Sequence, residues 1–175
     1  MTYRKLLIHP TMAVLLLLVG CSDDGTGPSE EPAALLEVSP EGGAPGVDPE
    51  GPVRVRFSHS MMGGMERYAL LHRGDATGPV VEGNWDFAED RTVLVFSPDR
   101  PLLRDTRYTV HLGGGMRDAD GHTVDFHSHG DRMGGGWATS GIMGGGMHGD
   151  GHHAGDGWRH ANGSHGMVFP FTTAP

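Results

Sequence analysis

Between Asp125 and Met167 the chain reads DFHSHGDRMGGGWATSGIMGGGMHGDGHHAGDGWRHANGSHGM, a tract that holds seven of its 12 histidines. Imidazole serves copper, zinc and nickel alike, and thioether sulfur favours Cu(I). The thioethers of Met133, Met143, Met147 and Met167 are interleaved with the imidazoles here, and glycine lets the backbone wrap both kinds of ligand round an ion. The candidate metal ligands are His127, His129, Met143, Met147, His148, His152, His153, His160 and His165. His127 and His129 would project to one side of an extended chain. Met143 and Met147 flank three glycines, and Met147 adjoins His148. Asp131, Asp150 and Asp156 offer oxygen ligands or acceptors for imidazole N–H groups.

Cys21 is the chain's only cysteine, so a cysteine-based structural zinc site is excluded. The ligand types point to copper first, with zinc or nickel behind it. The signal is compositional and has no fixed spacing, which suits several ions held at modest strength better than one rigid site. The competing reading is a disordered glycine-rich spacer whose histidines and methionines have no function.

Other chemistry is sparse. His59, Met61, Met62, Met65, His72, His111 and His122 lie outside the tract, and packing or a solvated face is expected of those on strands. Asp118-Ala119-Asp120-Gly121 has too few ligands for an EF-hand loop and reads as an ordinary turn. Trp137 and Trp158 are expected to clip the tract to the surface of the domain. There is no nucleophile motif, phosphate-cradling loop or His-Glu-x-x-His array, so no enzyme is expected.

The N-terminus bears on location. Arg4 and Lys5 precede the apolar run Met12–Val19, and Leu18-Val19-Gly20-Cys21 follows. The run falls short of the roughly 20 residues that span a bilayer, so residues 1–20 read as a signal peptide. The segment resembles a bacterial lipobox, which implies an acylated Cys21 as the first mature residue and a membrane partner reached through lipid. Ser22, rather than aspartate, favours the outer membrane by the enteric sorting rule. Residues 21–34 are acidic and rich in glycine and proline, the composition of a flexible tether. The formal charge of −9, with no basic cluster, argues against nucleic acid as a partner.

Residues 35–175 then carry one domain, interrupted by the insertion at 126–166. Short strands are expected at 34–39, 53–57, 68–72, 80–87, 92–97, 107–112 and 168–173, with a hairpin turn across Ala88–Arg91. Val53, Val55 and Phe57 alternate with Arg54 and Arg56, placing the apolar set on one face. About seven such strands predict an all-β, Greek-key β-sandwich with a long disordered Gly/His/Met-rich insertion before the last strand.

The order of several short pieces carries a resemblance. These are Val38-Ser39-Pro40 with Gly42-Gly43 and Gly46-Val47, Val55-Arg56-Phe57-Ser58, and Val95-Phe96-Ser97-Pro98 with Pro101-Leu102-Leu103. Thr106–Val110, Asp118–His122 and Phe169–Thr173 complete the set. Together they resemble the SbsA-type bacterial Ig-like domain over residues 35–125 and 167–173. The resemblance implies an Ig-like sandwich used in envelopes and adhesion, usually without catalysis, with Tyr108 in the role of a tyrosine corner. It also marks the departure, since about 40 residues replace the short connection before the last strand. Lengthening a flexible loop about tenfold adds only about 2 kcal/mol of closure entropy, so fold and chemistry are separable. Copper-resistance proteins of the CopC type are similar in architecture and ligand types. Their N-terminal histidine site has no counterpart here, where Cys21 would begin the chain. Two functions follow as expectations: a lipid-anchored envelope protein that binds metal through the tract, or a structural or adhesion module with an inert spacer.

Overall fold

A computed structural model describes residues 31–134 and 166–175. Eight strands form two sheets, with no α-helix among the described residues. They are β1 (Ala34–Gly42), β2 (Val53–Phe57), β3 (Ala69–Arg73), β4 (Gly83–Ala88), β5 (Val93–Pro98), β6 (Arg107–Leu112), β7 (Asp125–Gly134) and β8 (Met167–Thr172), and a single 3-10 turn covers Met65–Tyr68. The larger sheet has the order β4-β5-β2-β1-β7 and the smaller the order β3-β6-β8. Without β7, this is the four-plus-three Greek-key arrangement of an Ig-like sandwich.

The alternation read from VRVRF holds, with Val53, Val55 and Phe57 buried between the sheets. On the smaller sheet, Leu71, Tyr108, Val110, Leu112, Met167, Phe169 and Phe171 point inward and meet them in one core. In β1 the buried apolar side chains are Leu35 and Val38, three apart instead of two, because the pairing with β2 slips between Leu35 and Glu37. A bulge of this kind turns one extra residue outward, and Leu36 is left exposed.

Two elements differ from the sequence reading. The strand expected at 80–87 begins only at Gly83, because the preceding residues pair with the other sheet. Arg73 N–H donates to Pro79 O at 2.9 Å and Val81 N–H to Leu71 O at 2.8 Å. The chain therefore crosses between sheets at residues 82–83. The second difference is β7, which occupies the first residues of the insertion expected at 126–166 and runs parallel to β1. DFHSHGDRMG shows no apolar alternation, so its strand character comes from pairing with β1 and not from its own pattern.

Tyr108 meets its expected role. Its ring is 2% exposed and stacks on Phe171 at 5.8 Å between centroids, and its hydroxyl accepts a 2.8 Å hydrogen bond from Leu103 N–H. That bond pins residues 101–106 across the end of the sandwich. Tyr108→Phe keeps the ring but leaves a backbone donor without its acceptor, which should cost about 1–2 kcal/mol. Urea denaturation should show a lower midpoint at unchanged slope.

Candidate metal-binding tract and its supports

Of the nine candidate ligands, the described residues include His127 and His129, both in the backbone of β7. The β1–β7 register places Asp125 opposite Ala34 and His129 opposite Leu35, so His127 falls in the irregular stretch between these partners. Met143, Met147, His148, His152, His153, His160 and His165 lie outside the described residues, as do Cys21, Trp137 and Trp158. The structure therefore fixes the two ends of the tract.

Its entry is tied to the core. Val124 and Phe126 are buried, and Asp125 N–H donates to Ala33 O at 2.9 Å. Its exit turns at Gly166, where φ is +91° and a Cβ would sit 1.7 Å from Leu112 O. Only glycine fits so close to a neighbouring carbonyl at that angle. The following Met167 is fully buried and pairs with Leu112. It is a core side chain and not one of the tract's ligands.

Among the described residues, the methionines before the tract also belong to the core or pack against it. Met61, Met65 and Met116 are at most 4% exposed, and the Met65 sulfur accepts Arg117 N–H at 3.1 Å. Met62 packs against the same cluster while partly exposed. His59 contacts Ser58 Oγ through Nδ1 at 2.8 Å.

The Asp118–Gly121 segment is a turn, as read. Asp118 is 1% exposed. Its carboxylate accepts Ala33 N–H at 3.1 Å, Asp120 N–H at 3.1 Å and His122 N–H at 2.8 Å. Its oxygens are thereby committed to backbone amides, which suits a carboxylate buried as a structural clasp. His122 Nδ1 lies 3.4 Å from the same group. No group of three or more His, Cys, Asp or Glu side chains arranged for a metal occurs among the described residues.

His72 and His111 are the histidines whose setting the sequence did not foretell. They project from the outer face of the smaller sheet, the side away from the core, yet are 1% and 0% exposed. The connection between β3 and β4 packs against this face. His72 Nδ1 bonds Gly78 O at 2.9 Å, Thr109 Oγ1 donates to Gly74 O at 2.7 Å, and Ala76 packs on Val168. The connection is held in shape by Asp75, which accepts both the hydroxyl and the backbone N–H of Thr77. These bonds, the hydroxyl first, hold the Asp75 carboxyl below the usual carboxylate range.

The sequence profile of the bacterial Ig-like domain matches residues 29–128. No curated protein sequence matches the chain. Among solved structures it is similar to CopC from Methylosinus trichosporium OB3b, with 24% identity and a TM-score of 0.39 over 55% of this chain and 96% of that one. It is similar to L,D-transpeptidase 1 of Mycobacterium tuberculosis, with 24% identity and a TM-score of 0.36 over 45% of this chain. A third likeness is to surface layer protein SbsC, domains 1–6, with 14% identity and a TM-score of 0.40 over 55% of this chain and 13% of that one. The chain spans 35% of the L,D-transpeptidase 1 chain. These likenesses concern the sandwich, and the activity of each relative is its own.

The lowered carboxyl of Asp75 gives a pH dependence with a definite sign. A carboxylate whose folded value lies below its unfolded value, about 3.9, contributes stability above that value. The contribution is lost as pH falls through the folded value. Below about pH 4 the 74–82 connection should loosen before the sandwich unfolds. Amide hydrogen exchange at Thr77 and Gly78 should rise in acid in the native chain, and should be fast and independent of pH in this respect in Asp75→Ala.

Proposed function

The chain belongs to the bacterial Ig-like domain family, and from that premise we propose that it is a cell-envelope protein. It is held to a membrane, the outer membrane first, by lipid on Cys21, and it binds metal ions through the tract that begins in β7. Copper is the favoured ion, ahead of zinc and nickel, and the protein acts as a binder and not as an enzyme. The ligands are His127, His129, Met143, Met147, His148, His152, His153, His160 and His165.

The observation that carries this reading is the composition of the tract, where seven histidines stand with Met143 and Met147 among glycines between Asp125 and Met167. Thioether and imidazole together, without thiolate, form a ligand set suited to copper in an oxidising compartment. A multiply acylated cysteine gains about 0.8 kcal/mol per buried methylene, which makes attachment lasting.

The test must respect how the ends are placed. Residues 135–165 should be replaced by a glycine-serine spacer of equal length, leaving Phe126, Gly166 and Met167 intact. Calorimetric titration with Cu(I), Cu(II), Zn(II) and Ni(II) should show saturable copper binding in the native chain and loss of most of it in the replacement, with thermal unfolding little changed. Because neutral imidazole is the ligand form, the affinity of the histidine sites should fall as pH drops through about 6.5. Equal heats in both chains would instead favour a structural or adhesion module with an inert spacer. Cys21→Ser should release the protein from the membrane fraction, and retention there would refute the lipid anchor.

A further inference from the structure

We propose that β4 is a docking edge for a second copy of this chain, joining two larger sheets into one through an antiparallel β4–β4 pair. The inference rests on backbone pairing and is independent of both metal and lipid.

The groups that would bond follow from the register. Asp99 N–H donates to Glu82 O at 3.1 Å, which makes Glu82 and Asp99 a hydrogen-bonded pair next to Gly83 and Pro98. Bonded and non-bonded pairs alternate along an antiparallel ladder. Asn84, Asp86 and Ala88 therefore bond β5, while Gly83, Trp85 and Phe87 turn their N–H and C=O groups away from it. Among the described residues no backbone group meets them, and β4 ends the larger sheet. The 3-10 turn at Met65–Tyr68 packs beside β4 without bonding this edge. The smaller sheet is treated differently, since Pro79 and Val81 bond β3, and Gly43, Ala44 and Val47 bond β8. Edge strands are commonly blunted by proline, lysine or a bulge. β4 has no proline or lysine, and it pairs with β5 along its whole length without a shift.

The side chains select the occupant. A strand that pairs with its own copy about a two-fold axis must suit itself residue by residue. Centred on Trp85, the pair sets Trp85 against Trp85 of the second copy and Gly83 against Phe87, so every outward N–H and C=O finds a partner. Asn84 then stands opposite Asp86 of the second copy, twice, at the non-bonded positions where side chains come closest. Both residues are exposed, and a side-chain amide donates well to a carboxylate. Phe87, half-buried in the single chain, lays its ring over Gly83 of the copy, the arrangement by which an aromatic residue covers an edge glycine. A slip of two residues one way sets Asp86 against itself, and the other way sets Asp86 against Glu82. Like charges directly opposite are destabilising, so GNWDFA favours the one register in which amide meets carboxylate.

The test is sedimentation equilibrium of the full chain in a density-matched detergent, with a metal chelator present so that the tract cannot bridge copies through an ion. The chain carries a formal charge of −9, so physiological ionic strength is used to screen repulsion between copies. The expected species is a dimer in exchange with monomer. Asn84→Asp creates a like-charge pair at both contacts and should raise the dissociation constant about tenfold. Asn84→Lys creates two opposite-charge pairs and should lower it. Thermal unfolding should shift little, because position 84 is exposed. Register is read in Cys21→Ser chains, whose only thiol is an introduced one. Asn84→Cys mixed with Asp86→Cys should form the mixed disulfide well ahead of either self-disulfide. A chain that stays monomeric to about 1 mM leaves this edge to another protein's strand or to none, and overturns the proposal. A dimer that Asn84→Asp does not weaken overturns it too, as do self-disulfides forming as readily as the mixed one.

Discussion

Strands β7 and β8 run in the same direction, and much of the molecule's organisation follows from that. β7 is parallel to β1. β8 is parallel to the segment that continues β1, through the Val47–Thr173 bridge and the bond from Gly43 N–H to Pro170 O. Parallel strands cannot be joined by a tight hairpin. The chain leaving Gly134 must return along the sandwich before it can enter β8 at Met167. Gly134 pairs with Gly42 and the next residue, Gly43, bonds Pro170 O, so the end of β7 lies within about three residues of strand, on the order of 10 Å, of the start of β8. The glycine at position 166 admits the returning chain against the Leu112 carbonyl.

This constraint also explains what the sequence did and did not disclose. Strand β2 was legible because its alternation reports burial on one face, and Tyr108 because a buried phenol needs a partner for its hydroxyl. β7 was not, since it lies at the edge of the larger sheet and is specified by its neighbour β1. Val80–Glu82 carry apolar residues that look like the start of β4, yet they hydrogen-bond to β3 on the other sheet. Local pattern cannot say which of two sheets a residue will join. Of the candidate site, sequence named the ligand types, while the structure locates the two ends of the tract and the backbone of His127 and His129.

The smaller sheet shows how a local excursion can change the character of a whole face. An antiparallel sheet in a sandwich normally buries one face and wets the other. Here the outer face carries His72, Thr109 and His111, all at most 3% exposed. Against this face lies a short connection stiffened by the Asp75–Thr77 bonds and by the close pass of Gly78.

Methionine and histidine each have two uses, packing and ligation. Thioether sulfur packs as readily as it ligates. Met61, Met65, Met116 and Met167 stand beside strands or turns whose other members enter the core, and all are buried there. Met143 and Met147 stand at either end of Gly144-Gly145-Gly146, with Ile142 before the first and His148 after the second. Met167 shows the limit of composition: it closes the glycine-rich tract by sequence but opens β8 by structure. The ligand set is accordingly narrower than the count of soft side chains between β7 and β8. A methionine followed by alternating apolar residues, as Met167 is, belongs to the sandwich, and glycine before a methionine does not exclude it from the core, since Met65 and Met116 follow glycines and are buried.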